Sequence, residues 1–112
     1  MQNLQYAVAK QTAMQNPDGF TLNINDGELV TSGYAVAYKE TQNSFGMDGL
    51  RKAIDHANEH EGIIGGWLNT DNNQYYYDSI KIIENESDAI EFGKEQEQIA
   101  IFNLDTLTEI KL

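Results

Sequence analysis

One stretch of this chain repeats with a period that its neighbours lack. From Met47 to His60 the apolar residues Leu50, Ala53, Ile54 and Ala57 fall at helical spacing. That spacing sets them on one stripe of an α-helix, and such a stripe must face a core. The flanking segments alternate instead. Phe20-Thr21-Leu22-Asn23-Ile24 reads apolar, polar, apolar, polar, apolar, the mark of a half-buried strand. Gly33 to Lys39 reads as a second strand, and Tyr75 to Ile83, dense in aromatic and β-branched residues, is the firmest of all. Helices interspersed with hairpins predict a mostly antiparallel sheet with helices on one face. The expected fold is therefore a two-layer α+β domain.

The remaining segments fill out that plan. Asn16-Pro17-Asp18-Gly19 is a strong turn signal. It separates residues 1–16, an N-terminal helix or arm with Leu4, Ala7, Val8 and Gln11 at helical spacing, from a single domain over 17–112. Gly62 stands where a left-handed cap would end the central helix. Ile63 to Leu68 predicts a third strand, weakened or bulged at Gly65 and Gly66; Trp67 beside them reads as a core anchor, the alternative being a close backbone approach that serves a ligand. Asp71-Asn72-Asn73 is a hairpin turn. Ser87 is the expected cap of a second helix over Asp88 to Glu95, which carries Ala89, Ile90 and Phe92. Ile99 to Phe102 is a continuous apolar run of strand type, and Thr108 to Leu112 could add a last short strand. The order is β-β-α-β-β-α-β after an N-terminal helix; periodicity leaves the lateral order of the strands open.

Composition narrows the function classes. At 112 residues the chain has room for one domain. It has no cysteine, which excludes disulfides and thiolate metal sites and fits a reducing cytoplasm. Residues 1–14 lack the basic start and apolar stretch of a signal peptide. No run approaches the ~20 apolar residues of a membrane span. A cytoplasmic location is expected. Eighteen acids against seven bases give a formal charge of -11. Such a charge repels nucleic acid and anionic membrane, so neither is expected as a direct partner, while a protein with a basic surface is admitted.

Four patterns bear on chemistry. His56-Ala57-Asn58-Glu59-His60 matches H-x-x-E-H, in which two imidazoles chelate a metal and the glutamate acts as base. A catalytic metal needs a third protein ligand, and no pattern singles one out. The same residues also suit a helix end, where positive charge complements the dipole. In Tyr75-Tyr76-Tyr77-Asp78-Ser79, strand geometry puts Tyr75, Tyr77 and Ser79 on one face and Tyr76 and Asp78 on the other. The first set could contact a partner or fill a half-buried face. Gly46-Met47-Asp48-Gly49 is no phosphate-binding loop, since no Lys-Ser or Lys-Thr follows. Finally, Glu84, Glu86, Asp88, Glu91, Glu95 and Glu97 surround the second helix. Glu95 and Glu97 oppose its dipole, which hints at a use beyond helix stability.

Taken together, the segments Pro17 to Thr21, Thr31 to Ala37, Gly65 to Leu68, Tyr75 to Ser79, Ala89-Ile90, Gln98 to Leu104 and Glu109-Ile110 resemble small domains of phages, prophages and conjugative elements of gut bacteria. Related segments occur inside large polyvalent proteins of such elements. The resemblance runs from about Asn16 to the C-terminus and implies a role in a mobile element; it supplies no catalytic residues. The first expectation is a non-catalytic module that binds a protein partner through Tyr75 and Tyr77 and through Glu84, Glu86, Glu91 and Glu95. An acidic decoy for a basic nucleic-acid site is the alternative, and a small enzyme or metal protein using His56, Glu59 and His60 the third. No cofactor is expected. The edge at Thr108 to Leu112 could pair two copies as a homodimer.

Overall fold

The computed structural model describes residues 2–112. Its elements are α1 (Gln2–Gln15), β1 (Phe20–Asn23), β2 (Tyr34–Ala37), α2 (Gly46–Asn58), β3 (Ile63–Asn69), β4 (Gln74–Ile83), α3 (Glu86–Glu95), β5 (Ala100–Asn103) and β6 (Thr108–Lys111), with a 3-10 turn at Lys39–Thr41 after β2. The α+β class holds, and β6 and α1 both form. Local chemistry explains the ends. After the turn at Asn16, the Gly19 amide donates to the Asn16 carbonyl at 3.0 Å. Gly62 has φ +79° and donates to the Ala57 carbonyl at 2.8 Å, closing α2 as its sequence suggests. The cap of α3 is Asn85, not Ser87. The Asn85 side chain accepts from the Asp88 amide at 3.0 Å, and the Ser87 hydroxyl donates to that same oxygen at 2.8 Å.

The strands form one six-stranded sheet in the order β1-β3-β4-β2-β5-β6, every pair antiparallel. Strands β2 and β3 both run against β4, so they are parallel to each other, and α2 joins them across it. Likewise β4 and β5 both run against β2, and α3 joins them. Two split βαβ units thus interlock around the central pair β4-β2. This is the βαββαβ arrangement of ferredoxin-like domains, here extended by β1 on one edge and β6 on the other.

The helices cover one face only. Leu50, Ala53, Ile54 and Ala57 of α2 join Leu22, Ile64 and Tyr77 of the sheet in one buried cluster. Ala89 of α3 joins Val36 and Ile101 in a second. Burying a side chain such as Leu50 contributes roughly 1.5–3 kcal/mol. Helix α1 packs on α2, with Ala9 and Ala13 in the same buried cluster. Gln5 and Asn58 tie α1 to α2 through two amide hydrogen bonds of 3.1 and 2.9 Å.

The expected bulge in β3 is absent. Its pairing runs unbroken from Ile64 opposite Ser79 to Asn69 opposite Gln74. The glycine serves space instead. A Cβ on Gly66 would lie 2.5 Å from Cε1 of Phe20 and 2.7 Å from Cε1 of Tyr75, so the two rings pack over bare backbone.

Candidate interaction surface

An unbroken β3 has a consequence for its aromatic residue. Ile64 is buried under the helices; by strand alternation Ile63, Gly65 and Trp67 point the other way. Trp67 is therefore not a core anchor, and 46% of its surface is exposed. Opposite it in register stands Tyr76 of β4, whose ring stacks on the indole with centroids 5.4 Å apart and planes at 19°. On the other edge of β4, Phe45 makes an isolated bridge to Tyr76, and its ring lies 5.4 Å from the Tyr76 ring. Phe45 is 48% exposed. Three aromatic rings thus form a row from β3 across β4 to the bridging Phe45 just before α2, on the face that carries no helix.

The tyrosines expected to make contact lie on the opposite side. Tyr77 is 6% exposed and sits in the cluster under α1 and α2. Tyr75 packs against that cluster, and its hydroxyl donates to the Asn16 carbonyl at 2.6 Å. Burial pushes its ionisation up. Both rings are structural, and the accessible face of β4 is the one with Tyr76 and Asp78.

The helix-free face has two parts. At one end Ala35, Ile80 and Leu104 form a small buried cluster, with Val30, Ala37, Ile63 and Ile82 packed against it. Val30 belongs to the connection from β1 to β2, which roofs that end. The other end holds the exposed aromatic row, and part-buried Asp78 lies between the two ends. Asp78 shares its face with Tyr76, faces Gly65 in register, and has no hydrogen-bond or ion-pair partner among the described residues. Burial pushes its carboxyl up to about 6, since a charge withdrawn from water and left unpaired is costly.

The acidic residues do not form one surface. Asp88, Glu91 and Glu95 line a shallow groove of about 330 Å³ with Lys81, Ile83 and Phe92. Glu86 turns instead to the Tyr34 hydroxyl, which donates to it at 3.2 Å. Glu97 lies 3.5 Å from Lys39, and Glu84 is exposed just ahead of the helix. Of the four acids expected to bind, Glu91 and Glu95 share a face; Glu84 and Glu86 do not join them in the groove.

The histidines do something no local motif announces. His56 and His60 stack ring on ring at 4.1 Å, rather than converging their nitrogens. Nδ1 of His56 is 2.8 Å from the Ser79 hydroxyl and Nε2 is 3.2 Å from Glu40. Carboxylate, imidazole and hydroxyl are the parts of a nucleophilic relay. Ser79, however, is 0% exposed, so no substrate reaches its oxygen. The network straps α2 and the 3-10 turn to β4. The Ser79 amide completes it by donating to Thr41 Oγ1 at 2.9 Å. Sequence offers no signal for it, because its members lie far apart in the chain and only folding joins them. Glu59 caps the end of α2. Among the described residues no group of three or more His, Cys, Asp or Glu is placed to hold a metal ion.

No known protein family, curated protein or solved structure matches this chain. Nor is any helix among the described residues long and apolar enough to cross a membrane.

Proposed function

We propose that this chain is a non-catalytic protein-interaction module whose contact surface is the helix-free face of the sheet. The observation that carries the reading is the row Phe45–Tyr76–Trp67, two of its rings about half exposed, at the end of the helix-free face that the β1–β2 connection leaves uncovered. Large rigid aromatics contribute contact area at low entropic cost, which is why they dominate binding hot spots. Stacked rings on an open antiparallel sheet also suit single-stranded RNA. Here the net charge of -11 and the carboxylate of Asp78 within the face oppose a phosphate backbone, and a protein partner fits better. The cysteine-free sequence suits a partner met in the cytoplasm, and the resemblance to mobile-element domains suggests one from that setting.

The reading is tested by affinity capture from nuclease-treated bacterial lysate with the parent chain and with Trp67→Ala and Tyr76→Ala. Both variants should keep the parent far-UV circular dichroism. A captured protein held by the parent at low salt and lost from both variants is the expected result. Capture that ignores these substitutions, or that vanishes with Glu91→Gln/Glu95→Gln instead, overturns the assignment of this face and favours the acidic groove of α3.

A further inference from the structure

We propose that Asp78 and the Phe45–Tyr76–Trp67 row together receive an arginine side chain presented by a basic partner protein. The proposal rests on the interaction-surface reading above and names its anchor. Asp78 lies one pleat along β4 from Tyr76 on the same face, roughly 7 Å away along the strand. Its register partner is Gly65, which offers no polar group to pair with the carboxylate; the apolar Ile80 side chain lies over that glycine, with Cγ1 3.1 Å from where a Cβ would stand. No group among the described residues bonds to it. On this face Lys111 of β6 is separated from β4 by β2 and β5, roughly 14 Å at ordinary strand spacing, too far to pair. An unpaired carboxylate at the edge of an apolar aromatic row is an incomplete ion pair, and the missing half is a cation from outside.

The aromatic row selects which cation. Ring faces attract positive charge, and a guanidinium is planar, weakly hydrated and able to stack on a ring while its N–H groups fork onto a carboxylate. An ammonium does the second less well and the first at greater desolvation cost. A second copy of this chain is a poor occupant, since it brings the same charge of -11. A basic protein surface is complementary both at Asp78 and over the whole molecule.

Trp67 is the single tryptophan, so its fluorescence reports on the site directly. The probe is the peptide acetyl-Gly-Arg-Arg-Gly-amide, with the citrulline peptide as its uncharged isostere. A saturable change in Trp67 emission is expected with the arginine peptide. The citrulline peptide should bind at least tenfold more weakly, and so should the arginine peptide to Asp78→Asn at pH 7.5. Glu91→Gln/Glu95→Gln should bind within twofold of the parent. Unchanged affinity in Asp78→Asn overturns the proposal. So does a response to an oligothymidine with none to the arginine peptide, which would make the face a nucleic-acid platform. The lysate experiment separates the two readings. A partner lost from Trp67→Ala but kept by Asp78→Asn preserves the interaction surface and removes the arginine anchor, whereas a partner indifferent to both removes both.

Discussion

Asp78 holds the least comfortable position among the acids of this chain. Its carboxyl is pushed from 3.8 to about 6 by burial alone. The sign of the linkage follows. Below about pH 4 both folded and unfolded chains carry the proton. Between about pH 4 and 6 the unfolded chain releases it while the folded one retains it, so stability falls as pH rises through that window and stays lowered above it. A shift of this size corresponds to about 1–3 kcal/mol after allowance for solvent. Asp78→Asn should therefore be more stable than the parent by about that amount at pH 7, with the difference shrinking to nothing near pH 3. Urea denaturation across pH checks this; equal stability of the two at pH 7 would mean that Asp78 is not desolvated. A destabilising group on an accessible face is the usual mark of a residue kept for function. Sequence alternation placed Asp78 beside Tyr76, but nothing local marked it as unpaired.

At the scale of elements, close approach matters more than propensity. Valine is a better strand former than glycine, and by propensity alone Gly66→Val would strengthen β3. The rings of Phe20 and Tyr75 already occupy the space its Cβ needs. The substitution should instead cost about 1–3 kcal/mol through overpacking, read as a lower urea midpoint with an unchanged denaturant slope. An unchanged or raised midpoint would show that β1 can lift away freely. The elements themselves were largely legible. The stripe of α2, the strands at β1 and β4 and the cap at Gly62 follow from local spacing and stand where that spacing puts them. Local sequence does not fix the cap of α3, because Asn85 and Ser87 are both good caps, and only the path of the chain out of β4 chooses between them.

The whole molecule carries a charge of -11 on a small body, and its ion pairs include Lys39 with Glu97 and, when His56 is protonated, His56 with Glu40. Mutual repulsion opposes compaction, and salt screens it. Thermal midpoints should rise by several degrees between about 0.01 and 0.5 M sodium chloride, where the Debye length falls from about 30 Å to a few ångströms. Circular dichroism melts settle the point, and a falling midpoint would indicate that attractive pairs outweigh repulsion. The excess charge also has a consequence for association, since it speeds encounter with a basic partner and discourages self-pairing at the β6 edge.

What the sequence determined by itself is the set of elements and the parity of each strand. Period-two alternation says that Tyr75 and Tyr77 share a side and that Tyr76 and Asp78 share the other, and the structure keeps that division. It cannot say which side the helices will cover. That was decided by the crossings of α2 over β4 and of α3 over β2, which bury one face of the sheet and leave part of the other to water. Trp67 passed from expected core to exposed surface for the same reason, once β3 proved free of a bulge and its parity continuous. The strap of Glu40, His56 and Ser79 was likewise beyond sequence, because those residues become neighbours only when α2 lies on β4. Local spacing encodes faces; long-range packing chooses which face meets water, and with it which residues are free to bind.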